Sequence, residues 1–461
     1  MKSTHARMSK IAIATILAIG TSTANAAGFA IAEQSVTGLG NAFAGNSAGA
    51  EDASTIFSNP AGMRKLKGVQ YDLGVNLIRP SADFKDNNSR NVTGAALDFN
   101  SEDGGDAGTL GIVPNFYYSR DLGNKWTVGL GVNAPFGLVT DYDDGWVGRY
   151  HALTSDLKTI NVNPSAAYQA SDKLSIGFGI NIQYIEARLT NAVDFGGICF
   201  LGENVTMTIA AGTCAALSLQ SQADDGEAEV TGDDISLGYN FGFLYDVSDS
   251  TRIGMAYRSR IKHKLEGDAE FETPANATAI ATPLGLTNTD AEADIELPDS
   301  LSVGFHHTPS DRLAIMGDVT WTNWSVLDEL RIEFENGADD SVVTTEWDDT
   351  YRYSLGMTYK YTNNWSLRAG IAYDQGATPN AALLTPRVPD ENRTWLAFGA
   401  TYSNAKNNMK IDVGYAHLFV DDAEVNKSLT DNDGENAARG NLNGEYDLEV
   451  NIISAQARWL F

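Results

Sequence analysis

The sequence predicts an all-β protein, a 14-stranded antiparallel transmembrane β-barrel with an N-terminal plug in its lumen. Three observations carry this. From residue 69 onward apolar and polar residues alternate with period two, as in strands with one face against an apolar medium. The strands are even in number, and short polar turns alternate with long loops. The chain ends on Phe461, in step with the apolar face of its last strand. Composition agrees. Of the 461 residues, 43% are hydrophobic, yet the only long apolar run is N-terminal. Helical spans, which need about 20 apolar residues each, are thereby excluded. A mean hydropathy of -0.22 is compatible with strands that are only half apolar. The formal charge of -28, from 32 basic and 60 acidic residues, argues against nucleic acid as a partner, because phosphate binding needs a basic face.

Residues 1–26 read as a signal peptide. Lys2, Arg7 and Lys10 form a basic start, Ile11 to Gly20 an apolar stretch too short to span, and Ala24-Asn25-Ala26 a small-residue cleavage site. The mature chain is expected to begin at Ala27. The removed segment holds three basic residues and no acidic one, so the exported chain is more acidic still. Residues 27–68 are Gly- and Ala-rich, lack period two and precede the first strand. They are long enough to fold into the lumen as a plug, followed by a barrel over 69–461.

The strands lie near 69–82, 110–120, 125–137, 157–170, 173–189, 234–248, 251–264, 293–309, 311–324, 348–361, 364–374, 391–403, 408–419 and 446–461. In the fifth, Leu174, Ile176, Phe178, Ile180, Ile182 and Tyr184 share one face, against Ser175, Gly177, Gly179, Asn181 and Gln183. The sixth and tenth alternate in the same way. Short turns such as Ser171-Asp172 and Thr362-Asn363 alternate with long loops near 83–109, 138–156, 190–233, 265–292, 325–347, 375–390 and 420–445. In the last strand Ile453, Ala455, Ala457, Trp459 and Phe461 share a face, a pattern resembling the assembly signal of outer-membrane barrels. This layout places the protein in the Gram-negative outer membrane, with both termini periplasmic and the long loops extracellular. The acidic excess of those loops, for example Asp83, Asp86, Asp421 and Asp422, is either plain solvation or a means of bridging to lipopolysaccharide through divalent cations.

Parity also assigns functional candidates. Pro135 in the third strand and Pro164 in the fourth each remove a ladder donor. Pro135 either ends its strand or breaks it near Gly131 to Phe136. In the seventh strand, Arg252, Arg258, Arg260, Lys262 and Lys264 share a face opposite Ile253, Met255 and Tyr257. Basic residues on a lipid face cost about 2–4 kcal/mol each at the midplane, so the row is assigned to the lumen. Arg352 and Arg393 face inward by the same test. Such cations serve either as partners for a carboxylate head group or as partners of lumenal acids such as Asp246, Asp318 and Asp374. Cys199 and Cys214, fifteen positions apart, can close a loop as a disulfide in an exported protein. Nothing has metal-ligand spacing, and no cofactor is indicated. Of the mature histidines, parity puts His263 and His307 on the lipid face, a poor place for a general base, so an enzyme is disfavoured.

The plug carries a family resemblance. Ala27-Gly28-Phe29, Ser35 to Gly40, Ala42-Phe43-Ala44-Gly45, Asp52-Ala53 and Asn59-Pro60-Ala61 resemble the N-terminal hatch of FadL-type long-chain fatty acid transporters. Val113-Pro114-Asn115, Asn181 to Tyr184, Tyr257-Arg258-Ser259, Trp321 to Ser325, Tyr351-Arg352 and Val388-Pro389-Asp390 with Arg393 continue the likeness along most of the chain.

The resemblance implies a monomer that takes up long-chain fatty acids, or another hydrophobic small molecule, without an energy source. Partners are outer-membrane lipids, lipopolysaccharide and the barrel assembly machinery. Phe29, Asn59, Pro60, Ala61 and Pro135 would belong to hatch gating and lateral release at the third strand. Head-group candidates are Arg188, Arg258, Arg260, Lys262, Arg352 and Arg393. Arg188 lies near a polar anchor of the family, although the aligned position is Asn191. The apolar loops carrying Phe195, Ile198, Phe200 and Leu201, and Phe271 and Leu284, would form an outer collecting groove, stiffened by a Cys199–Cys214 bridge. Aromatic hydrocarbons or alkanes are the alternative cargo. A general porin needs no plug, and an adhesin needs no apolar loops above one.

Overall fold

Alternation decides which way each side chain faces. In β1 (Val69–Asp86), Tyr71, Leu73, Val75 and Leu77 are exposed outward, while Gln70, Asp72 and Asn76 are buried inside. The computed structural model describes residues 28–97, 103–404, 406 and 408–461, and carries this pattern around a closed wall. The signal segment 1–26 and the expected mature start at Ala27 lie outside the described residues.

The wall continues through β2 (Gly111–Gly123), β3 (Trp126–Asn133, resuming at Gly137–Asp141), β4 (Thr154–Gln169) and β5 (Leu174–Asp194). Then come β6 (Asp225–Ser248), β7 (Thr251–Arg258, resuming at Ile261–Glu272), β8 (Thr289–Leu297, resuming at Ser300–Ser310) and β9 (Leu313–Thr322). β10 (Thr350–Lys360), β11 (Trp365–Asp374), β12 (Arg393–Asn404), β13 (Met409–Val420) and β14 (Leu442–Leu460) complete the fourteen. β14 closes on β1 in antiparallel register from Gln70↔Leu460 to Asp86↔Gly444. Val69 and Phe461 exchange both backbone hydrogen bonds at 2.8 Å, so the last residue seals the seam.

Several strands run past their expected outer ends; β6 begins at Asp225 rather than near 234. There the wall stands above the lipid, and neither face has to be apolar. Two loops contain strands that alternation did not reveal. One is a hairpin of Glu329–Phe334 with Ser341–Thr344, and the other is Ala423–Lys427 paired to β14.

The wall is interrupted twice. Rungs between β2 and β3 stop at Phe116↔Val132, and the upper piece of β3 pairs with β4 from Gly137↔Lys158. Ala134-Pro135-Phe136 is the break, where Pro135 has no amide to donate to the ladder. Pro164 stays opposite Leu130 in the ladder with β3, but the rungs from β4 to β5 skip Asn163 and Pro164, between Val162↔Ile182 and Ser165↔Gly179. The second interruption was not foreseen. β7 breaks at Ser259-Arg260 and β8 at Pro298-Asp299. The register of β6 with β7 shifts by one residue across the break, from Asn240↔Arg258 below to Asp233↔Glu266 above. This break inverts parity along the rest of β7. Ile261, His263 and Leu265 point inward and are buried. Arg260 and Lys262 point outward, where both pair with Glu296. Lys264 does likewise with Glu292. The lumenal assignment of these three cations, and the lipid-facing assignment of His263, are therefore corrected.

Residues 28–68 fold inside the barrel as short helical turns, Val36–Leu39, Thr55–Ser58 and Pro60–Lys65. Ser35 and Asn59 cap two of them through side-chain oxygens that accept from the Gly38 and Ala61 amides. Wall glycines let this backbone come close. A Cβ on Gly242 would lie 2.0 Å from Asn59 Oδ1, and one on Gly177 would lie 2.2 Å from the Ala61 nitrogen.

Candidate functional site

Phe29 divides the lumen. It packs with Phe136, Trp324 and Trp347 at ring-centroid distances of 6.0, 5.1 and 5.9 Å. All four rings are buried. Gly28 makes this packing possible. Its φ of +60° suits glycine, and a Cβ there would lie 2.8 Å from both indole rings.

Above this aromatic partition lies a chamber walled by Leu157, Leu189, Leu265, Ile295, Ile332 and Val388, with Phe29 and Trp347 at its floor. Nearly all of its surface is apolar. One cation reaches it, Arg387, a residue that sequence reasoning missed because it sits in a loop with no face periodicity. Arg387 is 8% exposed. It donates to Ser155 Oγ at 3.1 Å and Asn191 Oδ1 at 3.3 Å. Among the described residues no carboxylate pairs with it. Burial and the nearby Arg439 pull its pKa below the ordinary arginine value.

Below the partition, a second chamber runs between Ala30, Phe57, Pro135 and Phe136 on one side and Pro298, Ser300 and Trp324 on the other. Its polar side chains include Arg258, Arg352, Asp318 and Asp374. Arg258 donates to Asn181 Oδ1 at 2.6 Å and to the Phe57 carbonyl at 2.9 Å, and its guanidinium lies 4.0 Å above the Phe57 ring. Arg352 donates to the Ala42 carbonyl at 2.7 Å and sits 3.9 Å from Asp374.

The remaining candidates separate. Arg393 is buried against Asp390. Arg188 points outward, half exposed, and pairs with Glu229 at 2.6 Å. It shares the outward parity of Ile182 and Tyr184, so it cannot serve the lumen, whereas Asn191 contacts Arg387. Pro135 meets the plug directly, as its carbonyl accepts from the Ile31 amide at 2.9 Å. Asn59 Nδ2 donates to the Ser47 carbonyl at 2.6 Å and to the wall carbonyl of Phe243 at 2.9 Å. Pro60 and Ala61 pass beside Gly177.

The two apolar loops meet outside. Phe195 and Cys199, from the helix Phe195–Asn204, are buried with Leu219, Ala277, Ile280 and Ala281, and Ile198 is only partly exposed. Phe200, Met207 and Leu284 remain exposed, Leu201 partly so. Phe271 lies apart from this cluster, against Phe334. Cys199 and Cys214 are joined as a disulfide.

A closed barrel with an internal plug, stacked chambers and an apolar outer surface defines an outer-membrane channel for hydrophobic small molecules. The family model described as outer membrane protein transport protein (OMPP1/FadL/TodX) matches residues 17–461, and the chain belongs to that family. It is 33% identical to a putative outer membrane protein of Neisseria meningitidis serogroup B, over 97% of this chain and 98% of that one. It is 29% identical to the long-chain fatty acid transport protein of an Escherichia coli O6:H1 strain, over 89% and 90%. Among solved structures, a FadL homologue of Pseudomonas aeruginosa shares the fold at a TM-score of 0.86, with 24% identity over 94% and 100% of the two chains. The toluene transporter TodX of Pseudomonas putida does so at 0.64, with 18% identity over 89% and 94%.

Proposed function

We propose that this protein carries long-chain fatty acids passively across the outer membrane. The acid is collected on the apolar outer loops and enters the upper chamber. Movement of the plug opens the aromatic partition at Phe29, and the acid leaves laterally at the break in β3. The observation that supports an acid as cargo is Arg387, a buried cation that pairs with no carboxylate among the described residues and faces a chamber whose surface is nearly all apolar. A fatty acid carboxylate supplies the missing charge, and its chain replaces water on the aliphatic walls. Lateral release draws support from the lower chamber, which reaches Pro135 and Phe136 at the gap between β2 and β3. One copy of the chain suffices for this route. The barrel assembly machinery would read the C-terminal Phe461, and acidic loops such as that of Asp421 and Asp422 would bridge to lipopolysaccharide through divalent cations.

The test is uptake of oleate and of toluene by cells lacking their own transporter, comparing the natural chain with Arg387→Gln. Hydrogen bonds to a charged group are worth about 1.5–3 kcal/mol, so oleate uptake should fall on the order of tenfold or more while toluene uptake is unchanged. Equal loss for both compounds, or for neither, defeats the head-group role. Uptake of toluene without oleate transfers the reading to aromatic hydrocarbons or alkanes, which the same apolar walls accept.

A further inference from the structure

At the periplasmic end, the barrel of this acidic chain holds a basic hollow. A cavity of about 320 Å³ opens between residues 49–51 of the plug and the lower ends of β7 to β14. It is lined by six basic side chains, Arg252, Arg312, Lys360, Arg368, Lys410 and Arg458, against two acids, Glu51 and Asp311. Three of the cations hold the plug. Arg252 donates to the Gly49 carbonyl at 2.6 Å, Arg368 to Glu51 at 2.7 Å, and Arg458 to the Glu51 carbonyl at 3.3 Å. The other three, Arg312, Lys360 and Lys410, form no ion pair among the described residues. They do not serve the packing of the plug, and the upper chamber is at the opposite end of the lumen. Three cations without ion pairs among the described residues, on the lining of one cavity, leave positive charge there that an anion would offset.

We propose that this vestibule binds a small oxyanion, the carboxylate or phosphate of a head group or free phosphate, on Arg312, Lys360 and Lys410. Arg368 faces the same cavity, so a bound oxyanion competes with Glu51 for it. Occupancy therefore loosens residues 49–52 from the wall.

Isothermal titration of the full-length protein in a zwitterionic detergent tests this, with inorganic phosphate, dodecyl phosphate and dodecanoate as separate probes. Saturable binding is expected for at least one probe, weakened by salt. The Arg312→Gln/Lys360→Gln/Lys410→Gln variant, altered only at exposed or half-buried unpaired cations, should lose on the order of tenfold or more in affinity. Glu51→Gln should bind more tightly, because the competing carboxylate is gone, a gain that a purely structural role for the cations does not produce. Preference for the dodecyl probes assigns the site to amphiphile head groups, and equal affinity for phosphate assigns it to free oxyanions. Arg387→Gln should leave this binding unchanged, so failure of the upper chamber as an acid site does not bear on it. Absence of binding by all three probes, or unchanged affinity in the triple variant, overturns the proposal.

Discussion

The Pro135 carbonyl accepts a hydrogen bond from the Ile31 amide at 2.9 Å, and the Phe29 carbonyl accepts one from the Gly137 amide at 2.9 Å. The plug therefore supplies the rungs that the broken third strand lacks. On the proposed route, opening the wall would require the N-terminus of the plug to move with it.

This coupling predicts the outcome of Ile31→Pro, which removes the donor and leaves Pro135 unpaired. Loss of the bond should cost about 1 kcal/mol locally. Amide exchange should rise at both Gly137 and the residues around Phe29, with the barrel still assembled. Faster exchange confined to the plug shows that the two are not coupled. Phe29→Ala should act more strongly, since burial of such a ring is worth about 3–5 kcal/mol. It should also join the two chambers into one.

Asn59 pins the other end of the plug. Its amide donates to one carbonyl of the plug and one of β6, and its oxygen caps Ala61. Asn59→Ala should impair uptake without blocking assembly. Gly242→Ala tests the same contact from the wall, because its methyl would lie 2.0 Å from Asn59 Oδ1 and displace it. Both variants should migrate as folded barrels on unheated gels and release residues 47–61 to protease. Normal uptake in both removes Asn59 from the gate.

The disulfide joins the helix Phe195–Asn204 to Thr213–Leu217. Closing a loop of this length restricts the unfolded segment by about 3 kcal/mol in the chain-entropy model. Replacing both cysteines with serine should speed cleavage between 205 and 212 and lower uptake at dilute substrate, with the unfolding temperature of the barrel unchanged. Unaltered cleavage and uptake would remove the bridge from any role in collecting substrate.

Strand number, alternation and the Pro135 break were legible because each follows from a local rule, a side chain's parity or a missing amide. The faces of Lys262 and His263 were not. Parity carries forward only while the ladder is continuous, and one interruption at Ser259-Arg260 reverses every later assignment. Nothing in that dipeptide announces a break; the partner break at Pro298-Asp299 is the better signal. Arg387 was hidden for a different reason. Its role depends on a loop folding inward to meet Ser155 and Asn191, contacts separated by about two hundred residues that no periodicity encodes.

The same loop cluster predicts a response to pH. His151 is buried, and its Nε2 has no partner among the described residues. Burial first, then the cations Arg439, Lys427 and Arg387, hold its pKa well below 6.5. It is therefore neutral when the loops are packed, while the opened loop takes up a proton near pH 6.5. The folded value is the lower one, so the stabilisation is complete above about pH 6.5 and is lost as the pH falls below it. Amide exchange in residues 142–153, corrected for its intrinsic pH dependence, should accelerate between pH 7.5 and 5, and His151→Gln should abolish the acceleration. Because Arg387 shares this cluster, oleate affinity of the natural chain should fall over the same interval and that of His151→Gln should not. A variant as acid-sensitive as the natural chain would place the pH response elsewhere.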